Sequence, residues 1–311
     1  MREAPSAPTY FRVQIVDTMA YANKRKLLKR LQSMAWKGGP GDITRIQQAQ
    51  TAEELVSLAP LSKGLGEAVW DDRSRQLPAA EMLPAIRAAL KNVGNMKDRD
   101  ERTFLQERLI ADLRWRDKQG GEVLLESFNS LDVYGKSLAC VVLGLLNYQP
   151  AADVIWNYSQ KVKTEGEENF VMGALWGLLD LKDPRLTDIL LELLGRGRLS
   201  AELFAIFAVG GEARSVVPLI ESASNLPEED RINPIFALIV IAHRIGRQAF
   251  LDSMQSAKGA ELDEEEVSVV GWFLERSETE AQLFFSGFLL GFSSEGMDEA
   301  LARLPKFPPL V

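Results

Sequence analysis

One short pattern occurs three times between Leu138 and Glu221, and it constrains the fold more than any other feature of the chain. Each copy is an apolar helical run, a short break containing Gly, Pro or Asn, and a second apolar run; the copies span residues 142–155, 175–190 and 204–220. A helix pair of this kind cannot bury its apolar face alone, so repeated pairs stack on one another. The pattern therefore predicts consecutive helix pairs.

The spacing of the pairs indicates a regular array. The second helices of successive pairs are predicted to begin near Gly121, Ala152, Arg185, Arg214 and Arg247. These start positions are 31, 33, 29 and 33 residues apart. No segment of this region alternates apolar and polar residues as a half-buried strand would. We therefore expect an all-α chain, with helix after helix from Ala79 to Met297–Leu304.

The first 78 residues lack the repeated pattern and predict a separate N-terminal helical portion, with residues 79–311 forming the array. Ala20–Trp36 has the spacing of an amphipathic helix. Lys24, Arg25, Lys29 and Arg30 are expected opposite its apolar stripe, and with Lys26 they form a basic patch. Thr51 and Glu54 have the spacing of a capping box, which predicts a short helix through Leu58. The polar stretch Gly64–Pro78 is predicted to connect the two portions.

The charge of the chain is unevenly distributed. The 311 residues carry a formal net charge of −8, but residues 1–41 hold eight basic and two acidic side chains, so the remainder carries −14. Three interpretations of the basic patch stay open: it docks onto the acidic body of the chain, it contacts phosphates, or it is a solvated helix face. The acidic balance as a whole does not favour nucleic acid as a partner.

The cysteine and histidine content excludes several kinds of site. Cys140 is the single cysteine, which excludes an intrachain disulfide, and its apolar neighbours predict burial. The single histidine, His243, excludes a histidine cluster and is expected on the apolar side of a helix. The apolar runs are too short to span a bilayer, and no signal peptide is visible. We expect a cytoplasmic protein with no cofactor.

The three copies resemble HEAT repeats, and are most similar to the short bacterial variety. The resemblance lies in Gly-Leu-Leu-Asn-Tyr-Gln-Pro (144–150), Gly-Leu-Leu-Asp-Leu-Lys-Asp-Pro (177–184) and Ala-Val-Gly-Gly-Glu-Ala-Arg (208–214), and extends over roughly residues 100–275. The spacing is shorter than the ~40–47 residues of longer HEAT units. The resemblance implies a right-handed α-solenoid of HEAT-like antiparallel helix pairs that acts as a non-enzymatic binding scaffold, and it implies no catalytic residue.

Acidic residues near the start of the second helices form the predicted partner-binding set. The acids are Glu122, Glu126, Asp153, Asp188 and Glu192. Stacked repeats place equivalent positions in one column, so these side chains are expected to line a concave, acidic groove. Trp156 is expected to add an aromatic anchor to it. The alternative is that acids in a first helical turn stabilise the helix dipole. The groove interpretation predicts a partner protein with a basic or helical segment.

Two other function classes stay open. Arg114-Trp115-Arg116 invites comparison with HEAT-like DNA glycosylases, but the acidic body disfavours it and predicts that this tract is a helix end. A HEAT-like lyase acting on a tetrapyrrole is suggested by the repeat alone. The order of residues in Lys37-Gly-Gly-Pro-Gly is not that of a phosphate loop, and the acidic set lacks a nucleophile, so no catalytic site is predicted.

Overall fold

The structure is a computed structural model that describes residues 40–62, 65–162, 170–197, 200–226, 232–246, 249–250 and 252–253. These residues form helices and their connections, with no strand among them, which confirms the predicted all-α class. The basic patch, the side chain of His243 and the predicted helices after residue 253 lie outside the described residues.

Thirteen α-helices are present in the described residues. They are α1 (Pro40–Gln48), α2 (Ala52–Ser57), α3 (Leu65–Gln76), α4 (Ala79–Asn92), α5 (Arg99–Leu113), α6 (Asp117–Ser127), α7 (Val133–Leu145), α8 (Ala152–Val162), α9 (Val171–Asp180), α10 (Leu186–Gly195), α11 (Ala201–Gly210), α12 (Val216–Ser224) and α13 (Ile232–Ile245). Single 3₁₀ turns connect several of them, at Ala59–Leu61, Val93–Asn95, Phe128–Ser130, Gln149–Ala151 and Ala213–Ser215.

The described residues cluster into two compact units, residues 40–183 and residues 184–253. In the first unit the packing runs in two rows. One row consists of α1, α3, α5, α7 and α9, and each of these helices packs on the next helix of the row. The other row consists of α2, α4 and α6, which pack on one another in the same order. Helices adjacent in the chain pack across the rows, as α5 does on α6, and α8 packs on α9 of the longer row. In the second unit α10 packs on α12, and α11 packs on α13.

The prediction of a polar connector at Gly64–Pro78 is wrong, because residues 65–76 form helix α3. The buried positions of this segment follow the helical period: Gly66, Trp70, Ser74 and Leu77. Only two of these four residues are large and apolar, so the periodic apolar signal of a packed helix is weak here. Helices on both sides of residue 78 belong to the first unit, where α2 packs on α4 and α3 on α5.

The predicted helix start at Thr51 is confirmed. The Thr51 hydroxyl accepts a hydrogen bond from the Glu54 amide at 3.2 Å, and a Glu54 carboxylate oxygen accepts one from the Gln50 amide at 2.8 Å. These bonds satisfy amide groups that the first turn of a helix leaves without a partner. Helix α2 then buries Leu55 and Val56 against the core.

The first helices of two repeat copies end in the same turn. Asn147 follows α7 and Lys182 follows α9, and both adopt left-handed backbone conformations, with φ of 48° and 54°. In each turn the next amide donates to the carbonyl five residues earlier, at 3.0 Å for Tyr148 and 2.9 Å for Asp183. This is the Schellman arrangement that closes a helix carboxyl end. The carboxyl ends of these two helices are therefore equivalent in structure as well as in sequence.

The backbones of helices α7 and α9 are in direct contact. A Cβ atom added at Gly177 would lie 2.5 Å from the Cys140 carbonyl oxygen, and one at Gly144 would lie 2.8 Å from the Gly177 Cα. Gly173 stands equally close to the Ser137 backbone. The contact encloses Cys140, and its complete burial raises the pKa of the thiol. Small residues thus set the distance between these two helices.

Replacing Gly177 by alanine tests this contact. The added methyl group collides with backbone atoms that cannot move aside, so we expect Gly177→Ala to lower the free energy of unfolding by about 3 kcal/mol. The matched control is Gly41→Ala in α1, where an added Cβ meets nothing within 4 Å. Urea unfolding followed by circular dichroism should show the control unchanged or slightly stabilised. Equal midpoints for the two variants would contradict the close approach.

Candidate functional site

The predicted partner-binding residues lie on three helices. Glu122 and Glu126 lie on α6, Asp153 and Trp156 on α8, and Asp188 and Glu192 on α10. The first four belong to the first unit and the last two to the second. The single acidic column predicted from the repeats stays a prediction.

On α6 the two predicted acids differ in their surroundings. Glu126 lies between two basic side chains of α4, with its carboxylate 3.2 Å from Arg87 Nε and 3.7 Å from Lys91 Nζ. Glu122 is exposed and has no ion-pair or hydrogen-bond partner in the described part of the chain. Half-exposed ion pairs of the Glu126 kind contribute little to stability. Glu122 therefore offers the more available charge to a partner.

On α10 both predicted acids form ion pairs within the second unit. Asp188 forms an ion pair with Arg214, and Arg214 Nε lies 2.8 Å from a carboxylate oxygen of Glu212. Hydrogen bonds to Glu212 and Asp188 raise the pKa of this exposed guanidinium. Glu192 lies 2.5 Å from Arg196, four residues further along the same helix. The charge of these two acids is thus already balanced at the protein surface.

An open apolar groove of about 410 Å³ lies in the first unit, beside helices α2, α4 and α5. Its lining consists of small and apolar side chains with two polar ones: Val56, Pro60, Pro84, Ala85, Ala88, Ala89, Met96, Leu105, Glu53 and Ser57. Val56 and Leu105 are buried, whereas Pro84 and Ala88 are exposed. Sequence reasoning did not predict this groove, since alanines on one helix face give no sign of what remains uncovered.

A buried polar network joins α3 to the end of α5. The Ser74 hydroxyl donates to Asp112 Oδ1 at 2.5 Å, and Arg116 Nε donates to the other oxygen of the same carboxylate. Arg116 Nη2 also donates to the Ser74 hydroxyl at 2.7 Å. Ser74 is fully buried and Asp112 is 4% exposed. Because each charged group has a partner, burial of the pair is tolerated.

A second set of contacts fixes α3 around Trp70. The Trp70 ring is fully buried, and its Nε1 donates to the Leu55 carbonyl at 3.0 Å. The Arg108 guanidinium lies 5.9 Å from the ring centroid and pairs with Glu67 at 3.1 Å and Asp71 at 2.8 Å. Arg108 therefore reaches from α5 to two carboxylates of α3, and the two helices are held in one register.

Trp115 is exposed directly beside this network. It is 57% exposed and is the one large hydrophobic side chain exposed in the described ranges. The Arg75 guanidinium lies 5.3 Å from its ring centroid and the Arg114 guanidinium 4.4 Å. Helix α5 ends at Leu113, as predicted for the Arg-Trp-Arg tract. The approach of Arg75 was missed, because α3 was not predicted to be a helix.

The described residues contain neither a metal-binding cluster nor a membrane-spanning helix. No group of three or more His, Cys, Asp or Glu side chains there is arranged to hold a metal ion. Among the same residues, no helix combines the length and the apolar composition needed to cross a membrane.

No family model, curated protein or solved structure matches the chain.

Removing the carboxylate of Asp112 should expose the role of the buried network. We expect Asp112→Ala to lower the free energy of unfolding by about 3 kcal/mol, because it leaves the largely buried Arg116 guanidinium without a counter-charge. The double variant Asp112→Ala, Arg116→Met should recover most of this loss. Asp72→Ala is the control: Asp72 is exposed, its one hydrogen-bond partner within the described ranges is Gln76, and the change in stability should be less than about 0.5 kcal/mol. Urea unfolding measures all three; a double variant as unstable as Asp112→Ala would contradict the pairing.

Proposed function

We propose that this chain is a non-enzymatic scaffold that binds another protein, and that its helix pairs form a right-handed α-solenoid of the HEAT-like kind. The two rows of helices in the first unit support this proposal, because helices α1 to α5 and α7 each pack on the helix two places further along the chain. Stacked pairs of this kind provide extended surfaces rather than a closed pocket. The expected location of the scaffold is the cytoplasm.

The apolar groove beside α2 and α4 carries the proposal. A partner helix binds a groove of this kind with the apolar face that it would otherwise expose. Ala85, Ala88 and Ala89 repeat on one face of α4 and allow a partner backbone to come close. Glu53 lies in the lining of the groove and can form an ion pair with a lysine or arginine of the partner. The groove thus fits a helical segment with basic residues beside its apolar stripe.

The predicted acidic set adds a second contact to this proposal. Glu122 of α6 belongs to the same unit as the groove and is exposed, with no ion-pair or hydrogen-bond partner among the residues that the structure describes. Unpaired surface charges of this kind increase the rate of association with an oppositely charged partner more than they increase affinity. We therefore assign Glu122 a steering contribution, and Glu126, which is already paired, a smaller one.

A charge placed in the groove should abolish partner binding. We expect Ala88→Glu to remove partners that the wild-type protein captures from nuclease-treated native extract, since a buried carboxylate opposite an apolar stripe is strongly unfavourable. Ala88 is exposed, so the substitution leaves the core intact. Ala80→Glu on the same helix is the control, because Ala80 is exposed and does not line the groove. Quantitative mass spectrometry of the captured proteins is the measurement.

The groove proposal fails if the Ala88→Glu and Ala80→Glu variants capture the same partners in the same amounts. Partners that disappear for the wild-type protein after nuclease treatment would instead favour the nucleic-acid alternative. Circular dichroism of both variants verifies that neither has unfolded.

Reversing the charge of Glu122 tests the acidic contact separately. We expect Glu122→Lys to slow association with the partner captured through the groove, and the effect to shrink as salt concentration rises. Glu221→Lys, at another exposed glutamate without a side-chain partner among the described residues, is the control. Surface plasmon resonance at low and high salt gives the association rates. Identical rates for both variants would remove Glu122 from the interface.

A further inference from the structure

The exposed Trp115 and the two guanidinium groups beside it form a surface that the groove does not include. Arg75 comes from α3, and Arg114 and Trp115 follow α5, so three residues from two helices meet at one point. We call these three residues the Trp115 surface. An indole exposed to this extent costs free energy in water unless something covers it.

The two arginines of this surface differ from the arginines around them. Neither Arg75 nor Arg114 has a carboxylate partner in the described part of the chain, whereas Arg108 and Arg116 are paired with acids. A guanidinium stacked on an aromatic ring still presents its N–H groups at its edge. The Trp115 surface thus has two sets of donors available to a carboxylate.

The buried network holds the surface in place before any partner arrives. Arg75 follows Ser74 in the chain, and Trp115 precedes Arg116, so each side of the surface adjoins a member of the Ser74–Asp112–Arg116 network. A surface fixed in this way loses little conformational entropy when it binds. The network therefore preorganises Trp115 and Arg75 for a ligand.

We propose that the Trp115 surface binds an acidic peptide segment of a partner protein. Two carboxylates of the segment form charge-assisted hydrogen bonds with Arg75 and Arg114, and the aliphatic part of the segment covers the indole. Tryptophan and arginine are both enriched among the residues that contribute most to binding energy at protein interfaces. This contact is independent of the apolar groove and has the opposite charge preference.

Charge around the surface favours a short acidic peptide over a nucleic acid. Helix α3 carries three carboxylates, Glu67, Asp71 and Asp72, against two guanidinium groups, and the whole chain has a net charge of −8. A polynucleotide requires a continuous basic track that neutralises several phosphates. Two arginines can pair with two carboxylates of a short flexible peptide, but they neutralise too few phosphates to hold a polynucleotide along a track.

The test uses the full chain and a fluorescein-labelled hexaglutamate peptide, with binding followed by fluorescence anisotropy at low salt. We expect saturable binding that weakens about tenfold in Arg114→Gln and in Trp115→Ala, because each variant removes one of the direct contacts. Arg99→Gln is the matched control, since Arg99 is exposed and also lacks a carboxylate partner in the described part of the chain. This control should bind as tightly as the wild-type protein.

Three results would overturn the proposal: no saturable binding of hexaglutamate, equal weakening by Arg99→Gln, or tighter binding of a labelled oligothymidylate that depends on the same residues. The last of these would assign the surface to nucleic acid. The groove variant Ala88→Glu should bind hexaglutamate normally, so failure of the groove and failure of the Trp115 surface can be distinguished. Protection of Trp115 from acrylamide quenching, measured as the difference between the wild-type protein and Trp115→Phe, gives an independent signal of contact.

Discussion

The close approach of α7 and α9 is the constraint on which the packing of the first unit depends. Gly144 and Gly177 bring two backbones together, and these glycines occupy equivalent places in two copies of the repeated pattern. Any side chain at either position would separate the helices and disturb the row from α1 to α9. The glycines of the repeat therefore determine the distance between helices, whereas Asn147 and Lys182 make the turns.

The sequence predicted the helices well where apolar residues are frequent and recur with the helical period, as in α7 and α9. It failed at α3, whose buried stripe includes Gly66 and Ser74. There the interior contact is polar: Ser74 is buried because Asp112 and Arg116 satisfy it, and those residues are about forty positions further along the chain. A local pattern contains no information about a partner at that distance.

The same reason explains what could be predicted of the candidate sites. Glu122, Glu126 and Asp153 were predicted from their positions in the repeats, and all three are exposed on helices; their role in binding stays a prediction. The sequence could not indicate that Arg87 and Lys91 already pair with Glu126, or that Arg75 lies against Trp115. Both contacts join helices that are neighbours in a row rather than in the chain. Availability of a charge is a tertiary property, although its presence is a property of the sequence.

Availability rather than number decides which charges of this surface can recognise a partner. An acid such as Glu126 must leave its basic neighbours before it can pair with another protein, and this exchange yields little net free energy. Glu122, Arg75 and Arg114 have no such competing partner in the described residues, and all three belong to the first unit. That unit thus combines an apolar groove, an unpaired acid and an aromatic–cationic surface. A partner with one basic helix and one acidic segment would satisfy all of them, which makes its charge pattern more selective than either contact alone.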